Sequence, residues 1–216
     1  MAFEVDLVVP MKPPNVGKSR LRGAVDYHPQ DEETHTELVL ALAADTVGAA
    51  TASSVVRRVL VVAADPAALS GLCMLGAEVV DQGAARDLNT ALRHGERILR
   101  AADPTGVVAA LQADLPALRA EELSAALSAA AGRRAFVADR QGTGTTLLVS
   151  APGAPLNPLF GPGSALAHTA SGAVPLDVDA PSLRSDVDTA ADLAHARRIG
   201  LGEHTATLLG ESCCLG

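Results

Sequence analysis

The sequence predicts an α/β fold: a single domain with a mostly parallel central sheet and helices on both faces. Strand-like and helix-like segments alternate along the chain, and the strands are continuous apolar runs of the kind that are covered on both sides. The 216 residues suffice for one sizeable core, and a composition 48% apolar and 19% charged excludes disorder and small disulfide scaffolds.

The elements follow in order. Val5 to Val9 is a short β-branched run, Glu32 to Ala52 has helical spacing, and Val55 to Ala63 is a strand ending at Asp65-Pro66. Ala77 to Val80 reads as a strand, Leu88 to Ala101 as a helix, and Gly106 to Gln112 as a buried strand. Ala120 to Ala131 is a helix opened by Glu121 and Glu122, followed by strands at Ala135 to Asp139 and Thr145 to Ser150. A Pro/Gly loop runs to Gly163, a short helix starts at Ser164, a brief strand lies near Val174, and a helix spans Thr189 to Ile199. The domain is expected over residues 1–216, with a core at about 4–200 and a C-terminal tail over 201–216 that frays at its end, residues 213–216.

Charge narrows the function. The net charge of −8 and four aromatic residues argue against nucleic acid, whose binders need clustered cations and stacking platforms. Glu4 and Asp6 stand where a secretory signal needs positive charge, and no apolar stretch approaches a membrane span, so a cytoplasmic protein without a membrane partner is expected. Cys73, Cys213 and Cys214 lack zinc spacing and suit a reducing compartment. The final Cys213-Cys214-Leu215-Gly216 does not end as a prenylation box usually does.

Within this acidic chain, Leu7 to Val25 carries Lys12, Lys18, Arg20 and Arg22 and no acid. A cationic loop after the first strand points to a small anionic ligand. Both lysines of the chain lie in it, against fifteen arginines elsewhere and within it, and a compact ammonium is not interchangeable with a guanidinium around a phosphate. Asn15-Val16-Gly17-Lys18-Ser19 ends like a P-loop, but Lys12 stands where the first Gly belongs and Pro13-Pro14 remove backbone donors. The loop therefore presents cationic side chains to a polyphosphate.

In sheets of this kind ligands bind beyond the carboxyl ends of the strands. Asp114, in Gln112-Ala113-Asp114-Leu115-Pro116, directly follows the most apolar strand, either as a Mg²⁺ ligand or as the cap of the next turn. Asp186 and Asp188, two apart, face one side of an extended segment; they either complete a metal site or start the last helix, where Thr189 and Asp192 have capping-box spacing. Gly142-Thr143-Gly144-Thr145-Thr146 and Gly161-Pro162-Gly163-Ser164 offer hydroxyls, open backbone and a helix start, which reads as a second anion site or as a turn and an ordinary N-cap. Asn89 either reads a base edge or caps a helix. The histidines form no triad, and His168 reads as solvent-facing rather than as a base.

These motifs occur together in one family's order: Val9-Pro10-Met11-Lys12-Pro13-Pro14 with Lys18-Ser19-Arg20-Leu21, Leu88-Asn89-Thr90-Ala91-Leu92, Ala113-Asp114-Leu115-Pro116, the Gly/Thr run, Phe160-Gly161-Pro162-Gly163-Ser164, and Asp186-Val187-Asp188-Thr189. From about Val5 to Ile199 the chain resembles the 2-phospho-L-lactate guanylyltransferases of coenzyme F-420 biosynthesis, and within them the actinobacterial phosphoenolpyruvate guanylyltransferases. Thr146, where many archaeal relatives carry Asn, favours that branch. The resemblance implies a nucleotidyltransferase-like fold, Mg²⁺ as cofactor, and GTP and phosphoenolpyruvate as substrates. It further implies diphosphate and enolpyruvyl-diphospho-guanosine as products, with transfer of the latter to the next enzyme of the pathway as an expectation.

Carried onto this sequence, the resemblance puts acceptor binding on Thr145, Gly161 and Ser164, metal binding on Asp114, Asp186 and Asp188, and the triphosphate on Lys12, Lys18 and Arg20. Ser19 and Asn89 complete the expected nucleotide contacts, and Lys12, Lys18 and Asp114 the catalytic set. Alternative acceptors are 2-phospho-L-lactate and 3-phosphoglycerate. Other readings are a molybdopterin-type nucleotidyltransferase or cytidylyltransferase, which usually has a Gly-rich first loop, and a non-catalytic nucleotide-binding protein. A dinucleotide-binding domain lacks its G-x-G-x-x-G.

Overall fold

The central strand β1, Val5–Met11, is buried along its whole length, as expected of an apolar run with a helix layer on either side. The computed structural model describes residues 4–12, 21 and 32–210. Strands β2 (Val56–Ala63) and β4 (Val107–Leu111) flank β1 in parallel, and β3 (Glu78–Asp81) adds outside β2. Beyond β4 come β6 (Thr145–Val149), β5 (Ala135–Ala138) and the two-residue β7 (Val174–Pro175), giving the order β3-β2-β1-β4-β6-β5-β7.

The sheet is mostly parallel, as the sequence predicts, and β6 is the strand that runs the other way, antiparallel to both β4 and β5. A short connection closed by Asp139 joins β5 to β6, and a link of that length can make only an antiparallel return. Its consequence is positional. The first residue of β6, Thr145, stands at the same sheet edge as the last residues of β1 and β4, and Gln112 N–H bonds the Thr146 carbonyl at 3.0 Å.

Alternation along the strands divides the interior. Leu7 and Val9 of β1 and Val59 and Val61 of β2 face a core closed by α1 (Glu32–Ala52) and α3 (Ala120–Ala129). Val8, Leu60 and Val62 face the opposite core, closed by α2 (Leu88–Ala102) and α4 (Ser164–Ala170). One irregularity re-aims a side chain. Val137 pairs with Leu147 but Ala138 pairs with Thr145, so Thr146 is an extra residue that shifts Thr145 off the face of Leu147 and Val149. Thr145 bonds α4 instead.

Two segments differ from the expectation. Ala67–Leu75 forms a 3-10 segment stopped by Gly76 at φ 89°, where the sequence signals no element. The expected tail is partly structured: α6 (Glu203–Leu208) packs on α1, with the Asp45 carboxylate accepting from the N–H groups of His204 and Thr205, both at 2.9 Å. A buried carboxylate at a helix start satisfies donors that would otherwise be lost. Helix α5 (Ala190–Ile199) and α1 enclose a third apolar cluster around Leu38, Leu42 and Val187. Residues 211–216, with Cys213 and Cys214, lie outside the described residues, and Cys73 is exposed. No helix among the described residues is long and apolar enough to cross a membrane.

Candidate active site

The site assembles where β1 and β4 end. Lys12 is the first residue beyond β1 and is exposed; Asp114 lies three residues beyond β4 and is half-buried. Its turn is held by Thr46 of α1, whose hydroxyl accepts the Leu115 N–H at 2.9 Å and shares its one proton between the Leu42 carbonyl at 2.8 Å and the Ala113 carbonyl at 3.2 Å. The Asp186-Val187-Asp188 segment is tied to the same turn, because Val187 N–H bonds the Asp114 carbonyl at 3.0 Å. A cavity of about 270 Å³ results, lined by Lys12, Gln112, Asp114, Asp186 and Asp188, with Val39, Leu42 and Leu88 as apolar walls.

The two readings left open for the acidic pair separate here. Thr189 caps α5, its hydroxyl accepting the Asp192 N–H at 3.3 Å while the Asp192 carboxylate takes the Thr189 N–H at 3.0 Å. Capping is done by these two, and Asp186 and Asp188 instead line the cavity. Thr189, with Arg140 at 3.0 Å, outweighs the burial that would raise the Asp192 carboxyl and leaves it below its ordinary range.

A second, smaller cavity of about 190 Å³ adjoins the first through Met11, Lys12 and Leu88 and adds Gln82, Arg86 and Asp87. Asp87 caps α2, accepting the Thr90 N–H at 2.9 Å, and this bond holds its carboxyl below the usual range.

Several expected roles change. Asn89, expected at the nucleotide, gives its amide to the Phe160 backbone, donating to the carbonyl at 3.0 Å and accepting the N–H at 2.8 Å, so it holds the Gly161 loop rather than offering those atoms to a base. The Gly142–Thr146 run is a turn closed by Asp139, which takes the N–H groups of Thr143 and Gly144, each at 2.8 Å. At the start of α4, Ser164 N–H bonds Gly161 and Ala165 N–H bonds Thr143. The helix is only seven residues long, and these two N–H groups at its start are taken within the protein. Thr145 and Ser164 are buried and bonded to each other at 3.2 Å, with Gly161 exposed at the loop. His168, expected to face solvent, is fully buried against Phe136 and Phe160. Lys18, Ser19 and Arg20 lie outside the described residues.

Among the described residues no three His, Cys, Asp or Glu side chains converge closely enough to hold a cation between them, so Asp114, Asp186 and Asp188 share a cavity without forming a ready-made cage. That donor set fits Mg²⁺, which takes one or two carboxylates and draws its other ligands from phosphate and water.

A mostly parallel sheet whose strand ends gather a lysine and three aspartates around one cavity has the architecture of a nucleotidyltransferase. Solved structures agree on the fold: a nucleotidyl transferase from Methanothermobacter thermautotrophicus matches at TM-score 0.55 and 16% identity, covering 90% of this chain and 96% of that one. A 4-diphosphocytidyl-2C-methyl-D-erythritol synthase matches at TM-score 0.56 and 14% identity over 91% of this chain and 98% of that one. The chain belongs to the family described as guanylyl transferase CofC like, which matches residues 5–209. The phosphoenolpyruvate guanylyltransferase of Salinispora arenicola is 54% identical over 207 residues, 94% of this chain and 92% of that protein. That of Geodermatophilus obscurus is 52% identical over 205 residues, 94% and 93% of the two chains.

Proposed function

We propose that this protein transfers guanylate from GTP to the phosphate of phosphoenolpyruvate, giving enolpyruvyl-diphospho-guanosine and diphosphate for coenzyme F-420 biosynthesis. The observation that carries the reading is the single cavity on which Lys12, Asp114, Asp186 and Asp188 open, in a chain 54% identical to a phosphoenolpyruvate guanylyltransferase. An acceptor phosphate oxygen bonds the α-phosphorus of GTP as the bond from that phosphorus to the bridging oxygen breaks. Two anions must meet, so positioning and charge neutralisation matter more than a protein nucleophile. No general base is needed, because the attacking phosphate is already ionised near neutral pH.

Lys12 neutralises charge growing on the departing diphosphate, and Lys18, Ser19 and Arg20 extend the grip on the triphosphate. Asp114 with Asp186 or Asp188 would hold Mg²⁺, which supplies further neutralisation and a template for both phosphate groups. Thr145, Ser164 and the Gly161 backbone receive the acceptor, with Asn89 holding their loop in place. Both substrates are cytoplasmic metabolites, and a cytoplasmic location goes with the reading.

The test is initial-rate diphosphate release with Mg²⁺ and GTP, offering phosphoenolpyruvate, 2-phospho-L-lactate and 3-phosphoglycerate in turn, with ATP and CTP as nucleotide controls. GTP with phosphoenolpyruvate should give the highest kcat/KM. A higher value for another acceptor would move the substrate assignment, and equal rates with CTP would remove the guanine assignment.

A further inference from the structure

His168 sits in α4, fully buried, and both ring nitrogens are engaged. Nε2 lies 3.0 Å from the Leu159 backbone nitrogen, which can only donate, so Nε2 accepts and carries no proton. The imidazole is kept neutral by burial and by nearby Arg134, which push its pKa down to about 4. In a neutral ring with a bare Nε2 the proton is on Nδ1. Nδ1 therefore donates to Thr145 Oγ1, 2.9 Å away.

Thr145 Oγ1 also accepts from Ser164 Oγ, at 3.2 Å. A hydroxyl has two acceptor lone pairs and one proton. With both lone pairs taken, the Thr145 hydroxyl has only its proton left to give. The bulge at Thr146 turns this hydroxyl toward α4 at the edge shared by the ends of β1 and β4.

We propose that His168 is a positioning residue that fixes Thr145 as a one-way hydrogen-bond donor to an anionic oxygen of the acceptor, a small phosphorylated carboxylic acid. The inference rests on the acceptor reading above. His168 and Asn89 grip consecutive residues of one loop, Leu159 and Phe160, directly before Gly161, and the two bonds from Asn89 hold that loop independently of the imidazole. A donor oriented before substrate arrives needs no reorganisation when the anion binds.

The test compares Thr145→Val, His168→Leu, His168→Asn and the Thr145→Val/His168→Leu double variant by KM for acceptor, KM for GTP and kcat, with thermal unfolding as a fold control. Thr145→Val should raise acceptor KM roughly tenfold, the size of one hydrogen bond to a charged group, while GTP KM stays within about twofold. His168→Leu should do the same, the double variant should be no worse than Thr145→Val, and His168→Asn, whose amide can replace the Nδ1 donor, should recover most of the loss. An unchanged acceptor KM in Thr145→Val would overturn the acceptor reading itself. A raised KM there with no effect of His168→Leu, or an additive double variant, would overturn the role of His168 alone. Should His168→Leu fail to fold, histidine ¹⁵N NMR of the wild-type protein decides: a protonated Nδ1 and bare Nε2 are expected, and the reverse tautomer would overturn the proposal.

Discussion

Asp114 is the side chain on which the proposed chemistry depends most, because it is the cavity carboxylate whose backbone is held at two points, the Leu115 N–H by Thr46 and its own carbonyl by the Val187 N–H. Asp114→Ala should lower kcat roughly 10²-fold or more, about 3 kcal/mol of transition-state stabilisation, with an unfolding midpoint close to wild type. Turnover near wild type would remove it from the mechanism. His168 makes a prediction of a different kind. Its folded pKa of about 4 lies below its ordinary 6.5, so as pH falls through that window the unfolded chain takes up a proton that the native one refuses. Stability is then fully present above about 6.5 and is lost progressively down to about 4. Between those values the stability of the wild type should fall more steeply with acid than that of His168→Asn, and parallel curves would show that the imidazole titrates as it does in the unfolded chain. At this scale the sequence makes Lys12 and Asp114 legible because charged groups directly after apolar strands have few other places to go, and Asp186 and Asp188 by their two-residue spacing ahead of the last helix. Thr46, Asn89 and His168 are not legible: Thr46 and Asn89 take their roles from bonds to backbone 69 and 71 residues away, and His168 takes its role from the Thr145 side chain in another element.

The elements are placed by close approaches that a residue pattern does not announce. Helix α2 lies tightly on β1 and β2 at Gly95, where an added Cβ would meet Val8 Cγ1 at 2.5 Å and Val62 Cγ2 at 2.8 Å. Gly95→Ala should therefore lift α2 off the sheet and cost about 1–3 kcal/mol, read by denaturant unfolding, despite the better helix propensity of Ala; a stabilised variant would contradict this packing. Element identity was otherwise plain from continuous apolar strands and helical spacing, and the bounds of α1, β6 and α4 follow that pattern. Direction and register were not. The reversal of β6 depends on the Asp139 turn, and the bulge that sends Thr145 toward α4 depends on pairing with β5, which no local signal encodes. Helix α6 was hidden for a similar reason, as its first turn is completed by Asp45 of α1.

For the molecule as a whole, the balance of charge and the location of the cavity describe one task. The proposed reaction asks a protein of net charge −8 to bring together two anionic substrates, and the structure sets Lys12 on the same cavity as Asp114, Asp186 and Asp188, a donor set suited to a divalent cation. The most direct measurement is ³¹P NMR of the protein mixed with GTP, phosphoenolpyruvate and Mg²⁺. The account predicts that the monoester resonance of phosphoenolpyruvate gives way to that of a diphosphate diester, one molecule of it for each free diphosphate released. Loss of GTP with the phosphoenolpyruvate resonance unchanged, or persistence of both substrates, would contradict it.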